Sequence, residues 1–414
     1  MKILIFSDCY VYGGSERLMI FLLKNDFLNK NNTLLFAYRK HKDYEEGLRN
    51  ENILDRKYNY PLFLLSNETL FLKINDVVKN GFVRKLIKIP FYLIEKVGLY
   101  FIWNLIRLMH FLLKVKPEII HVNNGGYPAA KSCNIMVVAN YLTVRTKVIY
   151  QVNNQARKRK TFLEKIYDAF INKNVVFFIN ASYKAKQQLI EKRNFDSDKI
   201  LVVNNCVPLP NAKLNKAEIF ELIKIPQDSF LIVEVAFLSE RKGQKYLVEA
   251  LKELFDKKLL SKEKVFCAFI GNGEDEEFLR NYINDLGLTS NIFLLGYRTN
   301  SEDFIMASDL FVLPSIKDED MPLVILSALG YGKAIISTDF AGISQVIKSN
   351  FNGILIKNEI ETFAHNLGIE ILRLYNDKEL RNQMGINAKE TYVDYSPETY
   401  GIVLNKIYKR LYAI

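Results

Sequence analysis

The chain has 414 residues, a formal net charge of +11 at pH 7 and 49% hydrophobic residues. That length exceeds what one hydrophobic core sustains, so two domains are expected in a protein of ordinary soluble, globular composition. The basic balance invites nucleic acid or an anionic membrane as partner, but no helix-turn-helix, zinc-finger or RNA-recognition pattern accompanies it, and no nucleic-acid partner is expected.

In chain order, KILIF (2–6) is an apolar run too short for a signal-peptide core and reads as a first buried strand. The following SDCYVYGGSERLMIFLL sets Gly13 and Gly14 just ahead of a helix whose expected cap is Ser15. Glycines there let a ligand approach the backbone closely, and their spacing is not the dinucleotide fingerprint. After the strand TLLFAY (33–38) comes a basic, aromatic segment from Gly81 to Pro117, in which Arg84, Lys85, Lys88, Lys96, Arg107, Lys114 and Lys116 stand against Glu95 alone. Its charges interrupt the roughly 20 apolar residues that a spanning helix needs. Residues 100–115 read as a core helix. Residues 81–98 read as a segment able to lie on an anionic leaflet, where each Lys or Arg contributes about 1 kcal/mol.

Strands are next expected at EIIHV (118–122), KVIYQV (147–152), VVFFI (175–179) and KILVV (199–203), which makes βαβ units around a parallel sheet. The run Arg157-Lys158-Arg159-Lys160 reads as a solvated loop that could also attract a diphosphate-linked acceptor, and the D-x-D look-alike Asp196 to Asp198 as a turn, not a metal site. Past the turn-rich NNCVPLPNA (204–212), the pattern restarts with strands at 230–237, 264–270, 291–296, 309–314, 333–338 and 353–357. The expected domains are 1–208 and 209–392, with a linker near 205–225 and a closing segment 393–414 whose helix starts at Pro397. Cys9, Cys133, Cys206 and Cys267 lie far apart without a C-x-x-C pair, which fits reduced thiols in a cytoplasm better than a disulfide framework or a zinc site.

Ligands of doubly wound sheets sit outside the carboxyl ends of the strands, where Gly13-Gly14 and Glu319 are both expected. In VAFLSERKGQ the chain turns at Lys242-Gly243, and Lys242 could pair with a diphosphate as a mobile point charge. In FIGNGEDE, Gly271 and Gly273 sit between strand and helix, where a nucleoside could lie. The most informative stretch is EDMPLVILSALGYGK (319–333), where Pro322 is expected as the first helical residue. The free amides from Asp320 to Leu323 would then form a phosphate cradle at the positive end of the helix. Glu319 would repel a phosphate at the same point, so its expected partners are hydroxyls one sugar length away. Phosphate beside polyol suggests a nucleotide sugar.

Taken together, GGSER, EIIHVNN, VVNNCVP, LSERKGQ, IGNGED and EDMPLVILSALGYGKAIIST resemble family 4 of the glycosyltransferases, the group 1 glycosyl transferases. The resemblance covers nearly the whole chain and is weakest from about 40 to 98. It implies an α/β chain of GT-B architecture: two Rossmann-like domains facing across a cleft, with the last helix returning to the first. It also implies a retaining enzyme with a UDP- or GDP-linked sugar donor held mainly by the second domain, an acceptor held mainly by the first, no metal and no cofactor. By the same resemblance, Gly13 and Gly14 lie against the donor diphosphate and Lys242 is its cationic partner. Glu319 is the first acid of an E-x7-E motif that contacts the transferred sugar, and the stretch Met321, Pro322, Leu323 and Val324 holds phosphate. Asp309 and Pro314 look like scaffold.

Three positions depart from the family pattern. Phe237 stands where an arginine is usual, Ser327 replaces the second acid, and Asn153 occupies the place of a histidine. Losing a permanently charged phosphate contact would cost roughly 2–4 kcal/mol of transition-state stabilisation unless Arg241 takes the role. Serine can still bond one ribose hydroxyl, and asparagine can bond a sugar hydroxyl but cannot become cationic. The resulting expectation is a hexosyl- or N-acetylhexosaminyltransferase that builds a surface polysaccharide on a lipid-linked acceptor. It would be cytoplasmic and peripheral to the inner face of the plasma membrane, with Glu319, Lys242 and Asn153 as catalytic residues. The alternative is a catalytically impaired nucleotide-sugar-binding partner of another transferase, and an epimerase of the same architecture fits the motif order less well.

Overall fold

The computed structural model describes residues 1–10, 12–208, 211–317 and 319–413, with Thr69 described by its backbone alone. It divides into two compact units, Met1–Val203 with Gly401–Ile414, and Asn204–Tyr400. The change of unit thus falls at Val203 and again inside the last helix, while residue 209, where the second domain is expected to begin, lies outside the described residues.

In the first unit the described residues form a seven-stranded sheet from β1 (Lys2–Ser7), β2 (Thr33–Arg39), β3 (Asn59–Leu62), β4 (Ile119–Asn124), β5 (Lys147–Val152), β6 (Phe177–Asn180) and β7 (Ile200–Val202). Their order is β3-β2-β1-β4-β5-β6-β7, and neighbouring strands run parallel. Parallel strands need helical crossovers that cover both faces, which is why runs such as Ile3 to Phe6 and Ile119 to Val122 are buried throughout, without alternation. Leu4, Phe6, Val122, Tyr150 and Phe178 pack with Leu108, Leu112 and Met136 from the helices. The strand absent from the sequence reading is β3. Pro61 has no N–H to give to a ladder and is tolerated because β3 is the sheet edge.

The helix Leu99–Val115 buries Asn104, Leu108, Phe111, Leu112 and Val115, but it exposes Phe101, Ile102, Trp103, Ile106 and Leu113. Reading 100–115 as a core helix therefore holds for one face only, because its apolar residues surround the axis and the sheet covers one side. The preceding helix Gly81–Lys96 buries no residue at all. Among the described residues no single helix is long and apolar enough to cross a membrane; these two satisfy that requirement only as a pair bent by 56°.

The second unit repeats the plan with β8 (Phe230–Val235), β9 (Val265–Ile270), β10 (Ile292–Leu294), β11 (Leu310–Leu313), β12 (Ile335–Thr338) and β13 (Ile354–Ile356), ordered β10-β9-β8-β11-β12-β13. Ile232, Leu247, Leu251, Cys267, Val312, Ile336 and Leu367 fill its core. Both sheets are parallel with helical crossovers, and the fold is the GT-B type. Of the helix Pro397–Ala413, the part from Gly401 on belongs to the first unit, where Asn32 Nδ2 donates to Asn405 Oδ1 at 3.1 Å.

Candidate functional site

In the second unit the expected residues gather at the carboxyl ends of β8, β9 and β11. Past β8 the chain makes a short turn, Glu240–Lys242, closed by Gly243 at φ 79°. A Cβ at Gly243 would run into the Pro314 carbonyl, so only glycine lets this turn lie flush on the loop after β11. The amide of Ile316 donates to the Arg241 carbonyl at 2.9 Å and fixes the two loops together.

That docking brings both cations to one carboxylate. Lys242 Nζ and Arg241 Nη1 both donate to Glu319 Oε1, the arginine at 3.2 Å. The Lys242 and Glu319 side chains are nearly buried, while Arg241 keeps about a third of its surface in solvent. Adjacency in sequence left open whether Arg241 and Lys242 face the same way; the 3-10 turn makes them converge. Phe237, at the arginine position, is exposed, and its carbonyl accepts from Gln244 Nε2 at 3.2 Å.

Behind this cluster lies a carboxyl that the sequence reading passed over. Glu234 of β8 is buried, accepts from Gln244 Nε2 at 2.9 Å, and sits close enough to Lys242 and Glu319 to feel both charges. Burial holds it well above the usual carboxylate range, a rise that Glu319 reinforces and Lys242 opposes. The available signal was an acid inside the apolar run FLIVEV.

Gly271 and Gly273 have a structural reason of their own. Gly271 has φ 149°, and side chains at the two positions would meet the carbonyls of Ala236 and Leu238. The loop after β9 is thereby laid backbone to backbone on the loop after β8, with Leu238 N donating to Asn272 O at 2.9 Å and Asp275 N to Leu238 O at 3.1 Å.

The helix after Glu319 runs Leu323–Gly330, with Pro322 as its N-cap at φ −67° and ψ 127°. Pro322 is thus one position outside the helix, not its first residue, because its ψ is extended. The leading helical amides, those of Leu323 and Val324, have no intrahelical acceptor and lie at the positive end of the dipole. Met321 is buried, and its carbonyl accepts from Asn205 Nδ2 at 3.0 Å. Ser327 is half-buried on the same helix. Asp309 is scaffold, holding Lys216 Nζ at 2.6 Å and the Leu231 amide at 2.9 Å.

In the first unit, Gly13 is the N-cap of the helix Gly14–Lys24. Ser15, expected as the cap, lies inside the helix instead, and its Oγ donates to Glu16 Oε2 at 2.7 Å. Glu16 is buried under the glycine turn; burial raises its carboxyl above the ordinary range, against hydrogen bonds from Ser15 and the Gly13 backbone. It is a second acid that the sequence reading missed, although GGSER contains it.

Asn153 lies at the end of β5 in a neutral network. Its Nδ2 donates to Asn123 Oδ1 at 2.5 Å and to Asn124 O at 3.1 Å, and its Oδ1 accepts from Gln151 Nε2 at 2.8 Å. Gln151 Oε1 lies 2.9 Å from His121 Nε2, and His121 Nδ1 lies 2.6 Å from the Tyr408 hydroxyl. Since the glutamine oxygen can only accept, His121 carries its proton on Nε2 and receives the tyrosine hydroxyl on Nδ1. Burial depresses His121 to about 4, so the network is uncharged at neutral pH. Among the described residues no group of three or more His, Cys, Asp or Glu could hold a metal ion.

Comparison with known proteins bears on the family and the fold. Residues 215–391 match the family model described as "Glycosyl transferases group 1". Over 301 residues the chain is 30% identical to the UDP-Gal:alpha-D-GlcNAc-diphosphoundecaprenol alpha-1,3-galactosyltransferase of Escherichia coli, covering 70% of this chain and 74% of the relative. An uncharacterized glycosyltransferase of Methanocaldococcus jannaschii is 25% identical over 94% of this chain and 93% of its own length. Among solved structures, Anabaena HepE in complex with UDP superposes with a TM-score of 0.77 at 15% identity, over 99% of this chain and 100% of that one. The chain belongs to the group 1 glycosyl transferases and is a glycosyltransferase.

Proposed function

We propose that this enzyme transfers a hexose or N-acetylhexosamine, with retention, from a UDP-sugar to a lipid-linked glycan acceptor in surface polysaccharide assembly. The observation that carries this is the convergence of Lys242 and Arg241 on Glu319, just ahead of the open amides of Leu323 and Val324. The cations and amides would stabilise the leaving diphosphate, and Glu319 would accept hydroxyls of the sugar. Arg241 takes the place left by Phe237, and Ser327 bonds one ribose hydroxyl. The bond from the anomeric carbon to the phosphate oxygen breaks, the acceptor oxygen bonds that carbon on the same face, and the acceptor proton passes to the leaving phosphate oxygen. No protein nucleophile is needed. Asn153 supports the acceptor half as a neutral hydrogen-bonding group, and the Gly13-Gly14 turn would leave room for a phosphate against the backbone. UDP is favoured over GDP by the structure of HepE with UDP and by the UDP-galactose named for the Escherichia coli relative, whose diphosphoundecaprenol acceptor also supports a lipid carrier.

The helix Gly81–Lys96, with Phe82, Leu86, Tyr92 and Leu93 exposed among Arg84, Lys85, Lys88 and Lys96, would rest on the anionic inner leaflet. The test is calorimetric titration of UDP-galactose, UDP-N-acetylglucosamine and their GDP counterparts, followed by NMR of the product anomer. Selective UDP-sugar binding and a product of retained configuration are expected; binding without turnover across lipid-linked acceptors would select the non-catalytic partner role instead.

A further inference from the structure

A groove of about 610 Å3 opens on the first unit, lined by Phe101, Val138, Leu163, Ile166, Tyr167 and Phe170, together with Thr161 and Glu164. Its volume falls within the ~300–1,000 Å3 common for small-molecule sites. Its walls come from the helices Leu99–Val115, Lys131–Leu142 and Phe162–Asn174. The last of these begins unusually for a surface helix, with Phe162 72%, Leu163 75% and Ile166 56% exposed. Scattered apolar residues on a surface are ordinary, but a contiguous set beside an apolar groove marks a binding surface.

The charge at the start of that helix is equally particular. Thr161 is the N-cap, and directly before it come Arg157, Lys158, Arg159 and Lys160. Arg159 is committed to Asp168 at 2.8 Å, and the one acid of the first turn, Glu164, is committed to Arg193 at 2.9 Å. Arg157, Lys158, Lys160 and Lys165 remain exposed to solvent. An apolar channel that starts beside a cluster of cations and the positive end of a helix is complementary to a molecule with a hydrocarbon chain at one end and phosphates at the other.

We infer that this groove holds the first isoprene units of a polyprenyl diphosphate, the lipid carrier of the acceptor, with the diphosphate on Lys158 and Lys160. The inference rests on the proposal of a lipid-linked acceptor and adds where that lipid is held. Phe101 belongs to the helix that also exposes Ile102, Trp103 and Ile106, so the groove adjoins the apolar side of the first unit and a chain could enter it from a bilayer.

The test uses the full chain with geranylgeranyl diphosphate as the probe, kept below its micellar concentration and followed by calorimetry, with UDP titrated into the same preparations. The wild type is expected to bind the probe and to bind geranylgeraniol, which lacks phosphate, more weakly. The pair Leu163→Asp/Ile166→Asp should weaken the probe by at least about tenfold by removing apolar contact. The pair Lys158→Glu/Lys160→Glu should weaken it by about tenfold at low salt, with the loss shrinking as salt rises. UDP affinity should be unchanged in both, which reports an intact second unit. No probe binding by a wild type that binds UDP overturns the groove and leaves the donor proposal standing. Equal binding by all variants, or equal competition from dihexanoyl phosphatidylglycerol, also overturns it, the latter in favour of a bilayer-lipid site. Probe binding without UDP binding would support the groove and count against the donor proposal.

Discussion

The two units share one fold, but the loops after β8 and β11 in the second are equipped differently from the end of β5 in the first. At the carboxyl ends of its strands the second unit places a carboxylate between two cations, Glu319 with Lys242 and Arg241, most of it withdrawn from water. The equivalent end of β5 in the first unit carries amides and a neutral imidazole, in the series Asn123, Asn153, Gln151 and His121. Fixed charges in a partly dry loop suit a substrate that is itself charged and whose charge grows as a bond breaks. A network of neutral donors and acceptors suits uncharged hydroxyls and costs less to keep buried. The difference fits the proposed reaction, with the bond to the donor diphosphate broken beside the charged cluster and the acceptor hydroxyl held by the neutral network.

Removing the hub of the charged cluster should break the comparison most severely. Glu319→Ala leaves Lys242 buried without its partner and is expected to lower acceptor-dependent nucleotide release by about 10²–10³. Adding Lys242→Ala should cost less than the two losses combined, since the pair acts as a unit, and a steady-state double-mutant cycle reads this directly. Gly271→Ala attacks the scaffold under the cluster. With φ 149° and the Ala236 carbonyl in the way, it should destabilise the fold by about 2 kcal/mol, measurable by urea denaturation, and should weaken UDP binding through the displaced loop. Phe237→Arg sharpens the contrast by adding a third cation; because Arg241 fills the arginine's role in the proposed reaction, UDP-sugar binding is expected to tighten by no more than about twofold by calorimetry. A gain of about tenfold would show that Arg241 does not fill the role.

The smallest expected effect concerns the neutral network. His121 has a folded-state value of about 4 against an ordinary 6.5, so below pH 6.5 the unfolded chain takes up a proton that the folded chain refuses. Its contribution to stability is therefore complete above pH 6.5, declines as the pH falls toward 4, and stays level below that. Thermal melts of the wild type and His121→Gln between pH 4 and 7 should differ in slope over that window, and parallel curves would contradict the assignment of a neutral, buried imidazole.

Much of this was legible in the sequence because the two strongest signals are local. Parallel strands buried on both faces are continuous apolar runs, so β1, β4, β8 and β9 could be read directly, whereas β3 carries Pro61 on an edge and lacks that signature. Glu319, Lys242 and the glycines of the second unit stood out because turn chemistry and spacing marked them. The convergence of Arg241 with Lys242 was not legible, since it depends on Gly243 seating one loop against Pro314. Glu234 was overlooked because it sits in an apolar stretch whose pattern calls for burial, and Glu16 because Ser15 and Arg17 beside it read as the polar start of a helix; only the fold reveals that both acids are buried. The helix Leu99–Val115 misled because apolar residues all round an axis suggest a core, and the sheet has only one side to offer.

Trp103, the single tryptophan of the chain, lies exposed on that helix. Its emission in the unlabelled protein is consequently an optical signal from this one apolar side and from nowhere else. A blue shift on adding vesicles, or quenching by brominated lipid, would report contact there without any engineered dye, while nucleotide titrated into the second unit should leave the spectrum still.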